Sequence, residues 1–189
     1  MSETANLPSQ FNDRAYKKFL QNPVIVADFL RSFVDPHWIE KLDIEHAEPL
    51  KSSFINPQYR QFENDVLIKI PLKDSEESAY LYILLELQST NETYMALRVA
   101  NYISLFYLDL LAQGYKEKRL PQVFPIVYYN GRERWTAPSE LSELVQNVVD
   151  IPKQYGLQCG YYPISLRDLQ VATGKSRNWH NWLGHFRRL

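Results

Sequence analysis

The sequence predicts an α/β domain: a mixed sheet flanked by helices. Three observations lead there. "YRQFENDVLIKIPL" alternates from Phe62 onward, the charged "KDSEES" follows, and then comes the apolar run "AYLYILLELQS", which together read as two antiparallel strands and a hairpin tip. "NETYMALRVANYISLFYLDLLAQG" carries apolar residues at helical spacing. A short apolar strand, "PQVFPIVYY", comes after that helix. Helices, a hairpin, a helix, a strand, a helix and a strand, in that order, define the α/β class.

Taken in order, residues 1–10 read as a polar, disordered leader and 11–170 as the folded domain. Asn12 or Asp13 can cap a first helix. Pro23 falls inside the apolar pattern that follows, so two helices in series are expected, the second starting near Pro23. In that second helix Val26, Phe29, Leu30 and Phe33 recur at helical spacing and form a core face. "DPHWIEKLDIEHAEPLKSSFINPQ", with Pro36, Pro49 and Pro57, reads as a connection. On the first strand Val66, Ile68 and Ile70 point one way, and Asp65, Leu67 and Lys69 the other. The long helix has its stripe at Met95, Val99, Tyr102, Ile103, Phe106 and Leu110, and Gly114 ends it. "YKEKRL" is a basic turn, and Asn130-Gly131 closes the strand after it. "SELSELVQNVV" is expected to be a helix and "YGLQCGYYPIS" a strand. "LRDLQVATGKSRNWHNWLGHFRRL" starts as a helix, and 171–189 is a basic, Trp-containing tail, read as truncated or divergent.

The bulk numbers exclude several classes. The chain has 189 residues, 45% hydrophobic and 23% charged, enough for one domain with a real core. Its net charge of -1 rules out a global basic signature, so any nucleic-acid contact must come from a local patch. Cys159 is the one cysteine, so there is no disulfide framework within the chain. "MSETANLPSQ" lacks the features of a signal peptide, and no apolar stretch reads as a membrane span. A cytoplasmic protein with no membrane partner is the expectation; self-association into a homo-oligomer stays open.

Chemistry enters with Glu86. It interrupts an apolar strand, and burying a charge without compensation costs several kcal/mol. Gln88 shares its strand face, while Leu85 and Leu87 go to the other layer. Asp65 interrupts the neighbouring strand. If the hairpin pairs the two strands, the two carboxylates meet on one face, where they repel unless a cation sits between them. Mg²⁺ takes hard oxygen ligands, commonly one or two carboxylates with waters and phosphate. The alternative is that each acid pairs with a local base or lies at a strand end in water. Other chemistries find no support. His37, His46, His180 and His185 lack zinc spacing, no G-x-S-x-G occurs, and "ATGKS" lacks the leading glycine of a phosphate loop.

These residues also carry a resemblance. Asp-(many)-Glu-x-Lys across a hairpin followed by a helix is the pattern of the PD-(D/E)xK nuclease superfamily. "NDRAYKKFLQNPVIVADFLRSFV", "YLYILLELQSTNETYMALRVANYI" and "LPQVFPIVYYNGRERW" resemble successive blocks of the Rpn family of recombination-promoting nucleases, also labelled "putative transposases". The resemblance implies a restriction-endonuclease-like core and a metal-dependent DNA endonuclease linked to recombination or transposition. It makes Asp65 and Glu86 the metal carboxylates, with Mg²⁺ or another divalent cation as cofactor and DNA as partner. Gln88 stands where the superfamily usually has Lys, and there it could orient the attacking water or touch the phosphate. Asn12-Asp13 replaces the family's His-Asp opening. Asp13 and Glu63 are further candidate site acids, with helix capping and a solvated strand entry as their plainer readings. Lys17, Lys18, Arg98 and Lys118, with Lys116 and Arg119, are candidate DNA-backbone contacts, or else solvated charges. The competing reading is a catalytically inactive DNA-binding or protein-interaction module on the same fold.

Overall fold

The alternation at Val66, Ile68 and Ile70 becomes a strand with all three side chains buried, at 3%, 0% and 1% exposure. That strand is β2 (Asp65–Pro71), and it pairs antiparallel with β3 (Ser78–Glu86) across the charged hairpin. In this computed structural model the described residues are 22–50, 65–75, 78–86, 91–129, 133–146, 148–149 and 152–165; at 65, 84–86 and 153 the backbone alone is described. The leader, the first expected helix, Glu63, Gln88, the Asn130-Gly131 turn and the tail lie outside them.

The sheet has five strands in the order β1-β2-β3-β4-β5, where β1 is Glu48–Leu50, β4 Val123–Tyr129 and β5 Tyr162–Ser165. β2 pairs antiparallel with β1 on one side and with β3 on the other, and β4 pairs parallel with both β3 and β5. A mixed sheet follows from the connections. The short hairpin permits antiparallel pairing, whereas the return from β3 to β4 passes through a long helix, as a parallel crossover requires.

Helices cover both faces. α1 (Pro23–Phe33) starts as expected, with Pro23 in its first turn and the Asn22 side chain accepting the Val24 N–H at 3.0 Å. Its Val26, Ala27, Phe29 and Leu30 are buried in one cluster with Val66, Ile68, Ile70, Leu81, Ile83 and Tyr128. A one-turn helix, α2 (Pro36–Ile39), follows it. α3 (Met95–Ala112) lies on the opposite face, where Met95, Val99 and Tyr102 cluster with Tyr82, Val127 and Tyr129. Tyr115 and Gly114 N–H groups close its end on the Leu110 and Leu111 carbonyls, with Gly114 at φ +89°, a left-handed cap natural to glycine.

Several expectations need correction. "SELSELVQNVV" is not a full helix: a single 3-10 turn, Leu141–Leu144, forms there. The reason is that the Ser139 carbonyl, which would open such a helix, accepts the Tyr161 N–H at 3.0 Å, Glu140 bridges Gly160 antiparallel, and Glu140 and Val145 both take extended backbone. The last strand is confined to Tyr162–Ser165. The "connection" 35–58 holds α2, another 3-10 turn (Ile44–His46) and edge strand β1. Finally, α3 is long and apolar enough, by length and composition, to cross a membrane, contrary to expectation. One of its sides packs into the core of this domain.

Candidate active site

The β2–β3 register fixes where the carboxylates start from. Asp65 stands directly opposite Leu84, two residues from Glu86 on the same strand. Cross-strand partners share a face, and so do alternate residues, so positions 65 and 86 lie on one face as diagonal neighbours, roughly 7–8 Å apart in such pairs. It is the α3 face, since Leu67 and Tyr82, paired in the same register, belong to the α3 cluster. Glu86 is also paired with Tyr129, the last residue of β4.

α3 runs back along β3. Its Tyr102 ring lies 5.6 Å from that of Tyr82, and its Phe106 ring 5.0 Å from that of Tyr80. The first turns of α3, with Arg98, therefore come to the end of the sheet that carries positions 65 and 86. Arg98 is partly exposed and lies 3.9 Å from Glu92. Lys116, Lys118 and Arg119 are exposed but follow the far end of α3, close to where the Tyr80 N–H bonds the Gln122 carbonyl at 2.8 Å. The structure thus brings Arg98 to the carboxylate end and leaves Lys118 at the other. Asp13, Lys17, Lys18, Glu63 and Gln88 lie outside the described residues.

Two supports at this end were not singled out from sequence. The first is Asn91, just ahead of α3. Its amide donates to the Arg134 carbonyl and accepts the Thr136 N–H, both at 2.9 Å. One side chain thereby ties the chain leaving β3 to the chain leaving β4. The second is an aromatic brace. Trp135 packs 4.8 Å from Tyr129 and donates its indole N–H to the Tyr161 hydroxyl at 3.1 Å. That hydroxyl donates to the Pro138 carbonyl at 3.0 Å. Burial pushes the Tyr161 phenol up to about 12. An Asn in a polar loop and a Tyr in an aromatic-rich chain carry no sequence signal for such contacts.

Among the described residues no three His, Cys, Asp or Glu side chains gather as a metal-ligand set. A cleft of mixed lining, with Arg31, His37, Asp43 and Lys73 beside Ile39 and Leu42, opens at the hairpin end of the sheet, away from positions 65 and 86. Beside it His46 Nδ1 and an Asp43 oxygen are 2.8 Å apart; this hydrogen bond holds Asp43 below its ordinary range and His46 above its own.

The mixed five-stranded sheet with a helix on each face is consistent with the restriction-endonuclease-like class. Within it the chain belongs to the family described as "Putative transposase, YhgA-like", whose model matches residues 10–181. Among curated proteins it is 28% identical over 120 residues to recombination-promoting nuclease RpnD of Escherichia coli O157:H7, covering 64% of this chain and 45% of that protein. It is 35% identical over 123 residues to recombination-promoting nuclease RpnA of Escherichia coli K12, covering 65% and 40%. A third relative, at 30% identity over 129 residues and covering 68% and 42%, is the "inactive recombination-promoting nuclease-like protein RpnE" of the same strain. The matches thus span less than half the length of these three relatives. No solved structure matches the chain significantly.

Proposed function

We propose that this chain is a metal-dependent endonuclease that hydrolyses phosphodiester bonds in DNA, with Asp65 and Glu86 as its metal carboxylates. The β2–β3 register supports the reading: positions 65 and 86 fall on the same sheet face as diagonal neighbours, and a two-carboxylate cation site needs both acids on one face. The donor chemistry fits Mg²⁺, a hard cation that prefers carboxylate oxygens. When bound, such an ion polarises a phosphoryl oxygen and lowers the pKa of a coordinated water. The chain supplies the rest. Gln88 orients the water or contacts the phosphate, but an amide cannot act as a base. Arg98, at the start of α3, neutralises a neighbouring phosphate. Lys17, Lys18 and Lys118 add sequence-independent attraction, and Asp13 or Glu63 completes the acid set.

Nicking of supercoiled plasmid tests this. Cleavage should need Mg²⁺, stop with a chelator, and fail with Ca²⁺ although DNA still binds. No Mg²⁺-dependent cleavage at any concentration would refute the enzyme reading. The second reading is a non-catalytic DNA-binding or protein-interaction module. Gln88 in the Lys position and the relative named as inactive favour it.

A further inference from the structure

α3 has two apolar sides. One, with Met95, Ala96, Val99, Tyr102 and Phe106, is buried in the core. The other is exposed: Tyr94 at 60%, Leu97 at 49%, Leu108 at 63% and Leu111 at 52%, with exposed Asn101 and Ser104 between them. Tyr94, Leu97, Asn101, Ser104, Leu108 and Leu111 are spaced alternately three and four residues apart, the repeat of a helix-against-helix seam. A helix face turned to water normally carries charge. Within α3 the charged residues are Arg98 and Asp109, and neither lies on this stripe. Arg98 sits beside Glu92, and Asp109 accepts from Gln113 at 2.6 Å. Large apolar side chains without charge are what distinguish the core of a protein interface.

The stripe also indicates its occupant. A two-fold interface must be self-complementary, because the same patch serves both partners. Laying a second α3 antiparallel, with the axis between Asn101 and Ser104, sets Tyr94 against Leu111, Leu97 against Leu108, and Asn101 against Ser104. Apolar meets apolar and polar meets polar along the whole seam. We infer that the outer face of α3 is a self-association surface on which a second copy of this chain seats the same helix antiparallel about a two-fold axis. An 18-residue helix is about 27 Å long. It offers roughly ten residues a side, fewer than the 20–30 of a standard interface. The dimer is therefore reversible and depends on concentration.

Sedimentation velocity on the full chain, from about 1 to about 300 µM, tests this by mass action. Wild type should move from 22.3 kDa toward twice that mass. Leu97 faces the partner's Leu108, so two double variants probe the register. Leu97→Glu/Leu108→Glu sets like charges opposite each other and should weaken dimerisation at least tenfold. Leu97→Lys/Leu108→Glu sets opposite charges there and should recover it. Both substitute exposed positions, and thermal melting confirms that each variant is folded. Three results would overturn the inference: wild type monomeric throughout, whether or not it binds anionic vesicles, an unaffected Glu/Glu variant, or a Lys/Glu variant no better than Glu/Glu.

Discussion

Replacing Tyr161 by Phe removes one oxygen from the brace beside β4. Tyr161 is 7% exposed and Trp135 9%, so water cannot readily take over the lost contacts. The hydroxyl accepts the Trp135 indole N–H at 3.1 Å and donates to the Pro138 carbonyl at 3.0 Å. The ring stays, so no large cavity forms. What remains is a buried indole N–H without its acceptor, a loss of about 1–3 kcal/mol. For a chain of 189 residues that is a fall in Tm of roughly 2–12 °C. Differential scanning calorimetry reads it directly. A pH series adds a signature. Folding raises the phenol to about 12 from an ordinary 10, so the neutral form is favoured in the native state. The wild type's advantage over Tyr161→Phe is then full below pH 10 and fades as pH rises toward 12. A Tm within 1 °C of wild type, or a difference that grows above pH 10, would refute this account of the brace.

Asn91→Ala should cost about 1–2 kcal/mol for two solvent-exposed hydrogen bonds, read by urea denaturation; Asn91→Asp, which keeps the acceptor for Thr136 but not the donor for Arg134, should fall between. Gln88→Ala should slow cleavage roughly 10²-fold with metal affinity little changed, and Gln88→Lys should keep substantial activity; unchanged cleavage in Gln88→Ala would remove this residue from the site. His46 is raised from 6.5 and Asp43 lowered from 3.8, so their pair stabilises above the carboxylate's range and is lost as pH climbs through the histidine's raised value. Any Tm loss in His46→Gln should accordingly be larger near pH 5.5 than near pH 8.5.

What could be read from the sequence was what periodicity encodes. The alternation at Val66, Ile68 and Ile70, the start of α1 at Pro23, the α3 stripe and the Gly114 cap each leave a local signal, and each stands in the structure. β1 left none: three residues with a central Pro49 can pair at an edge but cannot show alternation. The segment around Leu141 carries a helical pattern, yet its backbone is claimed by residues 159–161, some 20 positions on, a partner that local pattern cannot reveal. Of the candidate site, parity put Asp65 and Glu86 on one face, and the register agrees at the backbone. Which cations lie near them depends on the direction of α3. Sequence treated Arg98 and Lys118 alike; the helix separates them by its own length.

Mg²⁺-dependent nicking rates for wild type, Asp65→Ala and Glu86→Ala, measured side by side on folded protein, test the central claim most directly. Each substitution removes one of two mutually repelling carboxylates, so metal-free stability should hold or rise. Cleavage should vanish in both variants while salt-sensitive DNA binding persists. Wild-type cleavage rates in either variant would contradict the assignment of the site.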